Sequence, residues 1–208
     1  KVTLDDVLIN YNTYFVPSSA YLVIVGDVKF KEVKKEVEEL FGGWKKATAP
    51  QLTYSDPKDV QYSQINFIDA ANAVQSEIAL VNLSNLKMTD KEYFSVLLAN
   101  QILGGGGEGR LFLNLREKHG WTYGAYSSIG SGKYISKFRS SASVRNTVTD
   151  SAVVEFFNEL KRIKTDLVSE EDLRNAKAKY VGNFVMQIEK PSTIAGYALN
   201  KETQGLPE

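Results

Sequence analysis

ILGGGGEGRLFLNLREKHGWTYGAYS, residues 102–127, is the stretch from which the rest of the chain is read. A run of glycines leads into an amphipathic segment over about 110–119, which predicts a short helix. That segment carries Arg116, stops at Gly120 and hands over to a strand-like run, 122–129, that includes Tyr123 near its start. Glycine after the last periodic residue is a helix stop that takes a positive backbone angle at no steric cost. A guanidinium and a phenol are thereby placed at a helix-to-strand joint beside a mobile loop. Such a joint can grip an anion or a peptide. It cannot hydrolyse one unaided.

Working outward, 134–144 alternates like 122–129, and Gly130-Ser131-Gly132 between them predicts a hairpin. Upstream, Thr89 and Glu92 have capping-box spacing and open a helix to Leu103. Before that, 61–69 and 76–83 read as two strands, with Asn72 between them as the turn of a second hairpin. Downstream, 147–164 predicts a helix with Val153, Val154, Phe157 and Leu160 as its apolar stripe. Ser169-Glu170-Glu171-Asp172 caps a further helix to about Glu189, Pro191 breaks it, and a last short helix begins near Ser192.

At the N-terminal end, 3–15 predicts a helix with a Thr3/Asp6 capping box and a face of Leu4, Val7, Leu8, Tyr11 and Phe15, ended by Pro17. Residues 20–28 (AYLVIVGDV) are apolar on both parities and predict a buried strand. Residues 30–41 predict a helix with Val33, Val37, Leu40 and Phe41 inward, stopped by Gly42-Gly43. Residues 43–59 hold two of the five prolines and read as a surface connection; a domain boundary there would leave each side short of core. Hairpins dominate and βαβ alternation does not run throughout. The fold class is therefore α+β: a largely antiparallel or mixed sheet with helices on one face.

Composition narrows the function classes. The 208 residues are 43% hydrophobic and 24% charged, with 25 Lys and Arg balancing 25 Asp and Glu. A net charge of zero gives no global field for nucleic acid or an anionic membrane. The longest apolar run, Tyr21 to Val25, is far too short to span a bilayer, so no membrane insertion is expected of this segment. The absence of cysteine excludes disulfides and thiolate metal sites, and fits either the cytoplasm or a bacterial periplasm. Lys1 stands where an initiator Met would, and no signal peptide is visible. The chain is expected to be a single domain excised from a longer protein.

Four chemistries compete for the residues. Gly104, Gly106 and Gly109 satisfy G-x-G-x-x-G, but a dinucleotide loop follows a strand and here a helix precedes. A P-loop needs Gly-Lys-Ser/Thr, whereas Gly109 is followed by Arg110 and Leu111, and Glu108 puts a negative charge in the cradle. Gly104, Gly105, Gly106, Gly107 and Gly109 read instead as a linker between helices, or as a loop that lets a peptide backbone approach. Zinc hydrolysis needs two histidines on one helix face, and His119 is the one histidine. His119 reads as a helix C-terminal cap. No Gly-x-Ser-x-Gly elbow supports a serine nucleophile. Arg116 with Tyr123 is the fourth. Arg116 shares a helix face with Phe112 and His119, and its planar fork with one phenolic donor suits a peptide carbonyl or carboxylate. The same spacing is also met by an arginine paired to an acidic neighbour and a tyrosine half-buried in sheet packing.

GGGGEGRLFLNLREKHGWTYGAYS resembles the C-terminal domains of the pitrilysin/insulinase family of zinc metallopeptidases, the inverzincins. LDDVLINYNTYFVPSSAYLVIVGDV (4–28) and SEEDLRNAKAKYVGNFVMQIEKPSTIAGY (169–197) resemble other segments of the same domains, in the same order. The resemblance implies a mitochondrial-processing-peptidase-like α+β domain that pairs with a catalytic domain or subunit around a peptide. It implies that Arg116 and Tyr123 hold the substrate backbone or C-terminus. In the alpha subunit of the mitochondrial enzyme a glycine-rich loop at the place of Gly104 to Gly109 takes part in substrate recognition. The family's zinc motif, H-x-x-E-H, is absent here. The implied assignment is no catalytic residue, no metal and no cofactor in this chain, with zinc in the partner. The rival expectation is an assembly subunit on the same fold with no peptidase role, which the core proteins of the respiratory bc1 complex show the family to permit.

Overall fold

The computed structural model describes residues 1–206. The contacts divide the chain into two compact units: Lys1–Ser55 with the chain from Met186 onward, and Asp56–Val185.

In the first unit, helix α1 (Leu4–Tyr14) begins as its sequence dictates. Thr3 Oγ1 accepts from the Asp6 N–H at 3.2 Å, and Asp6 Oδ2 accepts from the Thr3 N–H at 2.9 Å. That reciprocal bonding satisfies orphan donors of the first turn and holds the Asp6 carboxyl below its usual range. A single 3₁₀ turn, Pro17–Ser19, follows, and helix α2 spans Phe30–Phe41. Helix α7 (Pro191–Gln204) starts on a proline, whose fixed φ suits the first helical position, and ends on Gly205 at φ +65°.

The expected buried strand at 20–28 is not formed. Tyr21, Leu22, Ile24 and Val28 are exposed, and no strand of this unit offers it a ladder among the described residues. Apolarity on both parities signals a demand for cover, but a strand forms only where a partner strand exchanges its hydrogen bonds. No residue of α1, α2 or α7 is buried; among the described residues of this unit Val16 is the buried apolar one.

The second unit contains the sheet. Strands β1 (Gln75–Ser84), β2 (Thr122–Ile129) and β3 (Ser136–Arg145) are antiparallel in the order β1-β3-β2. The expected β2/β3 hairpin is present. The other is not: 61–69 forms no strand, with Ile65, Phe67 and Ile68 almost fully exposed. Asn72 still makes its turn, at φ +69° with Ala73 N–H donating to Ala70 C=O. Turn chemistry is local and survives without the pairing it was expected to serve.

Helices α3 (Tyr93–Gly104), α4 (Arg110–Phe112, continued by a π-helical turn over Leu113–Lys118), α5 (Thr149–Thr165) and α6 (Glu170–Ile188) complete this unit. The core is built from alternate sheet residues, Ile78, Ala125, Ala142 and Val144, against Leu103, Leu111, Leu115, Ala152 and Phe156 of the helices. The α+β expectation holds in this unit. Two details differ. The Thr89/Glu92 box is not made; Asp90 instead accepts from the Lys87 N–H and α3 starts at Tyr93. Of the α5 stripe, Val153 and Leu160 pack against the core, while Val154 and Phe157 are both 56% exposed and Ala152 and Phe156 are buried in their place. Ser169 caps α6 as expected, accepting from the Asp172 N–H at 3.0 Å. No helix among the described residues is long and apolar enough to cross a membrane.

Candidate functional site

The joint between α4 and β2 is built by three departures from regular geometry. The first is the π-helical turn, in which His119 N–H donates to Asn114 C=O at 3.1 Å, five residues back. Leu111 and Leu115, four residues apart, are both fully buried, and the Arg116 guanidinium lies over the Phe112 ring, 4.8 Å from its centroid, as i,i+4 neighbours on one face do. Single π-helical turns recur at functional sites.

The second is Gly120. Its φ is +64°, as its position after the helix requires. Its N–H donates to Arg116 C=O at 2.9 Å, and Trp121 N–H donates to Leu115 C=O at 3.0 Å, closing the helix end. A Cβ here would meet nothing within 4 Å, so alanine pays only the left-handed torsion. Gly120→Ala is expected to lower stability by about 1 kcal/mol, read from urea unfolding, with the circular dichroism spectrum unchanged.

The third is a β-bulge. Thr122 pairs with Val144 and Ala125 with Ala142, so three steps on β2 face two on β3. Thr122 Oγ1 accepts from the Gly124 N–H at 3.1 Å and donates to the Gly124 C=O at 2.9 Å, which stabilises the extra residue. In a regular strand Tyr123 would share the inner face of Ala125. The bulge reverses the parity and turns Tyr123 outward, 87% exposed. The half-buried alternative for this tyrosine therefore does not hold. Gly124 is the residue in the sequence that signals the bulge.

Arg116 pairs with the Glu117 carboxylate at 3.5 Å, as the alternative of an arginine beside an acidic neighbour expects, and lies over the Phe112 ring; its side chain is 45% exposed. The described interactions include no contact between Arg116 and Tyr123. His119 stacks on Trp121 with ring centroids 4.0 Å apart, and its Nε2 is buried without a hydrogen-bond partner. Among the described residues no group of three or more His, Cys, Asp or Glu could hold a metal.

The glycine run divides by role. Gly104 ends α3 and is buried; a Cβ there would lie 2.5 Å from the Ser127 N and 2.7 Å from its Oγ. Gly109 is buried against it, a Cβ there lying 2.8 Å from the Gly104 Cα. These two are packing residues. Gly105 is crowded by Gln101, whose Nε2 donates to its carbonyl at 3.1 Å. Gly106 sits at φ +148°. Gly107 is exposed, and its substituent would meet only the Phe112 ring edge at 3.8 Å. The tip at Gly106 and Gly107 is what a peptide backbone could approach.

A second polar feature went unread in the sequence. Asn114 Nδ2 donates to Glu155 Oε2 at 2.7 Å and to Glu159 Oε1 at 2.8 Å, tying the π-helical turn to α5. The Asn114 bond holds the Glu155 carboxyl below its usual range, against the opposing effect of burial, with help from Asn158, Lys118 and His119. Beside this tie lies a cleft of about 1090 Å³, lined among others by Arg110, Asn114, Glu159 and Asp172. Neither Arg116 nor Tyr123 lines it.

Residues 1–180 match the family model of the peptidase M16 inactive domain, and the chain belongs to that family. The resemblance read from residues 104–127 holds. The chain is 25% identical over 178 residues to the probable inactive metalloprotease YmfF of Bacillus subtilis (strain 168), covering 85% of this chain and 41% of that protein. It is 29% identical over 180 residues to an uncharacterized zinc protease of Rickettsia bellii (strain RML369-C), covering 82% of this chain and 40% of that one. The chain thus spans about two fifths of the length of these relatives. Its fold superimposes on the crystal structure of a peptidase M16 inactive domain from Pseudomonas fluorescens with a TM-score of 0.84, at 22% identity, over 99% of this chain and 48% of that one.

Proposed function

We propose that this chain is the substrate-holding domain of a zinc peptidase whose metal and hydrolytic groups lie in another domain or subunit. The observation that carries the reading is the outward turn of Tyr123. A strand spends an extra residue to expose a phenol, on the far side of a glycine reversal from a guanidinium already braced by an aromatic ring. Bracing lowers the entropy lost when the guanidinium engages a carbonyl or carboxylate. The phenol adds one directional donor. The chain supplies positioning of the scissile bond and no bond-making group. The exposed Gly107, beside a half-buried Gly106, leaves room for the backbone of the guest.

The test is turnover of a peptide by the full assembly. Arg116→Ala removes a charge-assisted bond and is expected to lower kcat/KM by about tenfold to a hundredfold. Tyr123→Phe removes one neutral bond and is expected to lower it by about fivefold. Wild-type turnover in both variants would leave the assembly role as the standing explanation of the fold.

A further inference from the structure

The glycine loop is tied on both sides of its exposed residue, Gly107. Before it, Gln101 Nε2 donates to the Gly105 C=O at 3.1 Å. The Gly106 C=O accepts from the Gly109 N–H at 2.9 Å, which closes a turn around Gly107 and Glu108. After it, Glu108 Oε2 accepts from the Lys179 Nζ of α6 at 3.0 Å, across a chain separation of 71 residues. The same ammonium lies 3.4 Å from where a Cβ on Gly106 would stand, and Gly106 is half-buried at a φ of +148° that suits glycine. Where the sequence reads a mobile loop, the structure shows one with ties at Gly105, Gly106 and Glu108.

We propose that Lys179 is a positioning residue for peptide binding: its ion pair with Glu108 fixes the glycine loop in the shape that presents Gly107 to the guest backbone. The proposal rests on the substrate-holding role given above. Gln101 and Gly109 bond the loop from within its own segment, whereas Lys179 joins it to a different element, α6. A run of glycines has more backbone states to lose than any other sequence. A guest that fits one of those states is bound more weakly by the fraction of molecules in the others. Glu108 is 81% exposed, so the pair adds little to the stability of the fold. An interaction of that strength still chooses between loop conformers that lie close in free energy. It also gives Glu108 a place in the site. The carboxylate that spoils the loop as a phosphate cradle is the handle by which α6 holds it.

Two measurements test it, the first without a peptide. The NMR order parameter of the Gly106 amide in the 208-residue chain is expected to be about 0.85 in the wild type, as for rigid backbone, and below about 0.6 in Lys179→Met and in Glu108→Gln. Methionine keeps an unbranched stem over Gly106 and removes the charge. Lys179→Arg is expected to keep the wild-type value, and so is the charge swap that combines Lys179→Glu with Glu108→Lys. The second measurement is peptide turnover by the full assembly. Lys179→Met is expected to raise KM about threefold with kcat and the unfolding midpoint unchanged, and the charge swap is expected to restore KM. A Gly106 as ordered in Lys179→Met as in the wild type overturns the proposal, whatever happens to turnover. So does a loosened loop with an unchanged KM, or a raised KM that the charge swap leaves raised. Arg116→Ala and Tyr123→Phe are read separately. Wild-type turnover in both, beside the expected effects of Lys179→Met, would remove the role of that pair and leave the pinned loop as the contact of the guest.

Discussion

Phe156→Ala is expected to lower the unfolding free energy of the sheet-bearing unit by about 3–5 kcal/mol. Phe156 is fully buried in the cluster that joins the sheet to the helices, among Leu111, Leu115, Ala142 and Val144. Removing its ring forfeits the transfer free energy of a large apolar group. It also leaves a hole whose walls belong to different elements and relax only in part. Urea unfolding checks it, read by circular dichroism and by the fluorescence of Trp121, which packs against the same cluster. The neighbouring Phe157→Ala serves as the control. Its ring is 56% exposed, so its loss is expected to cost less than about 1.5 kcal/mol. Equal effects at the two positions would mean that α5 is rotated from the orientation described here.

Gly104→Ala carries the second large effect, about 1–3 kcal/mol of destabilisation. The added methyl would lie 2.5 Å from the Ser127 backbone nitrogen of β2, which cannot withdraw without moving α3 or the strand, and 3.0 Å from the Leu111 Cδ1. Gly107→Ala, three residues along the same run, is expected to stay within about 0.5 kcal/mol of wild type, because its substituent points into open space near the Phe112 ring. Thermal unfolding of the two variants separates them. In the peptide-turnover assay the pattern is expected to differ. A bulky residue at 107 should lower peptide affinity while leaving the fold intact, because the exposed tip is where a guest backbone could approach. If Gly104→Ala is as stable as wild type, the close helix-to-strand approach is absent.

These variants also show where sequence reasoning stops. Phe157 was expected inward and Phe156 was not, because the apolar stripe was traced through valines. The inner face is centred on Ala152, Phe156 and Glu159, with Val153, Leu160 and Ile163 partly buried beside them; the small residue and the charged one carry little apolar signal. Glu159 is held there by a hydrogen bond from Asn114 of the π-helical turn and an ion pair with Arg162 one turn along α5. The cleft with Arg110 was invisible for the same reason: its charges come from four separate elements. Within the site, Arg116, the stop at Gly120 and the strand starting near Tyr123 were legible from spacing. The five glycines were legible as a run, but not as packing residues at Gly104 and Gly109 with an open tip between them.

By itself the sequence determined what is settled within a few residues: the Thr3/Asp6 and Ser169 caps, the positive φ of Asn72 and Gly120, the β2/β3 hairpin and the family to which the chain belongs. Each rests on a side chain bonding its own backbone, on one torsional preference, or on the order of residues along the chain. Only the tertiary structure decided that 20–28 and 61–69 stay unpaired, that α5 turns Phe156 inward, and that a bulge turns Tyr123 outward. Pairing and burial depend on what the rest of the chain brings alongside, and no local pattern carries that information.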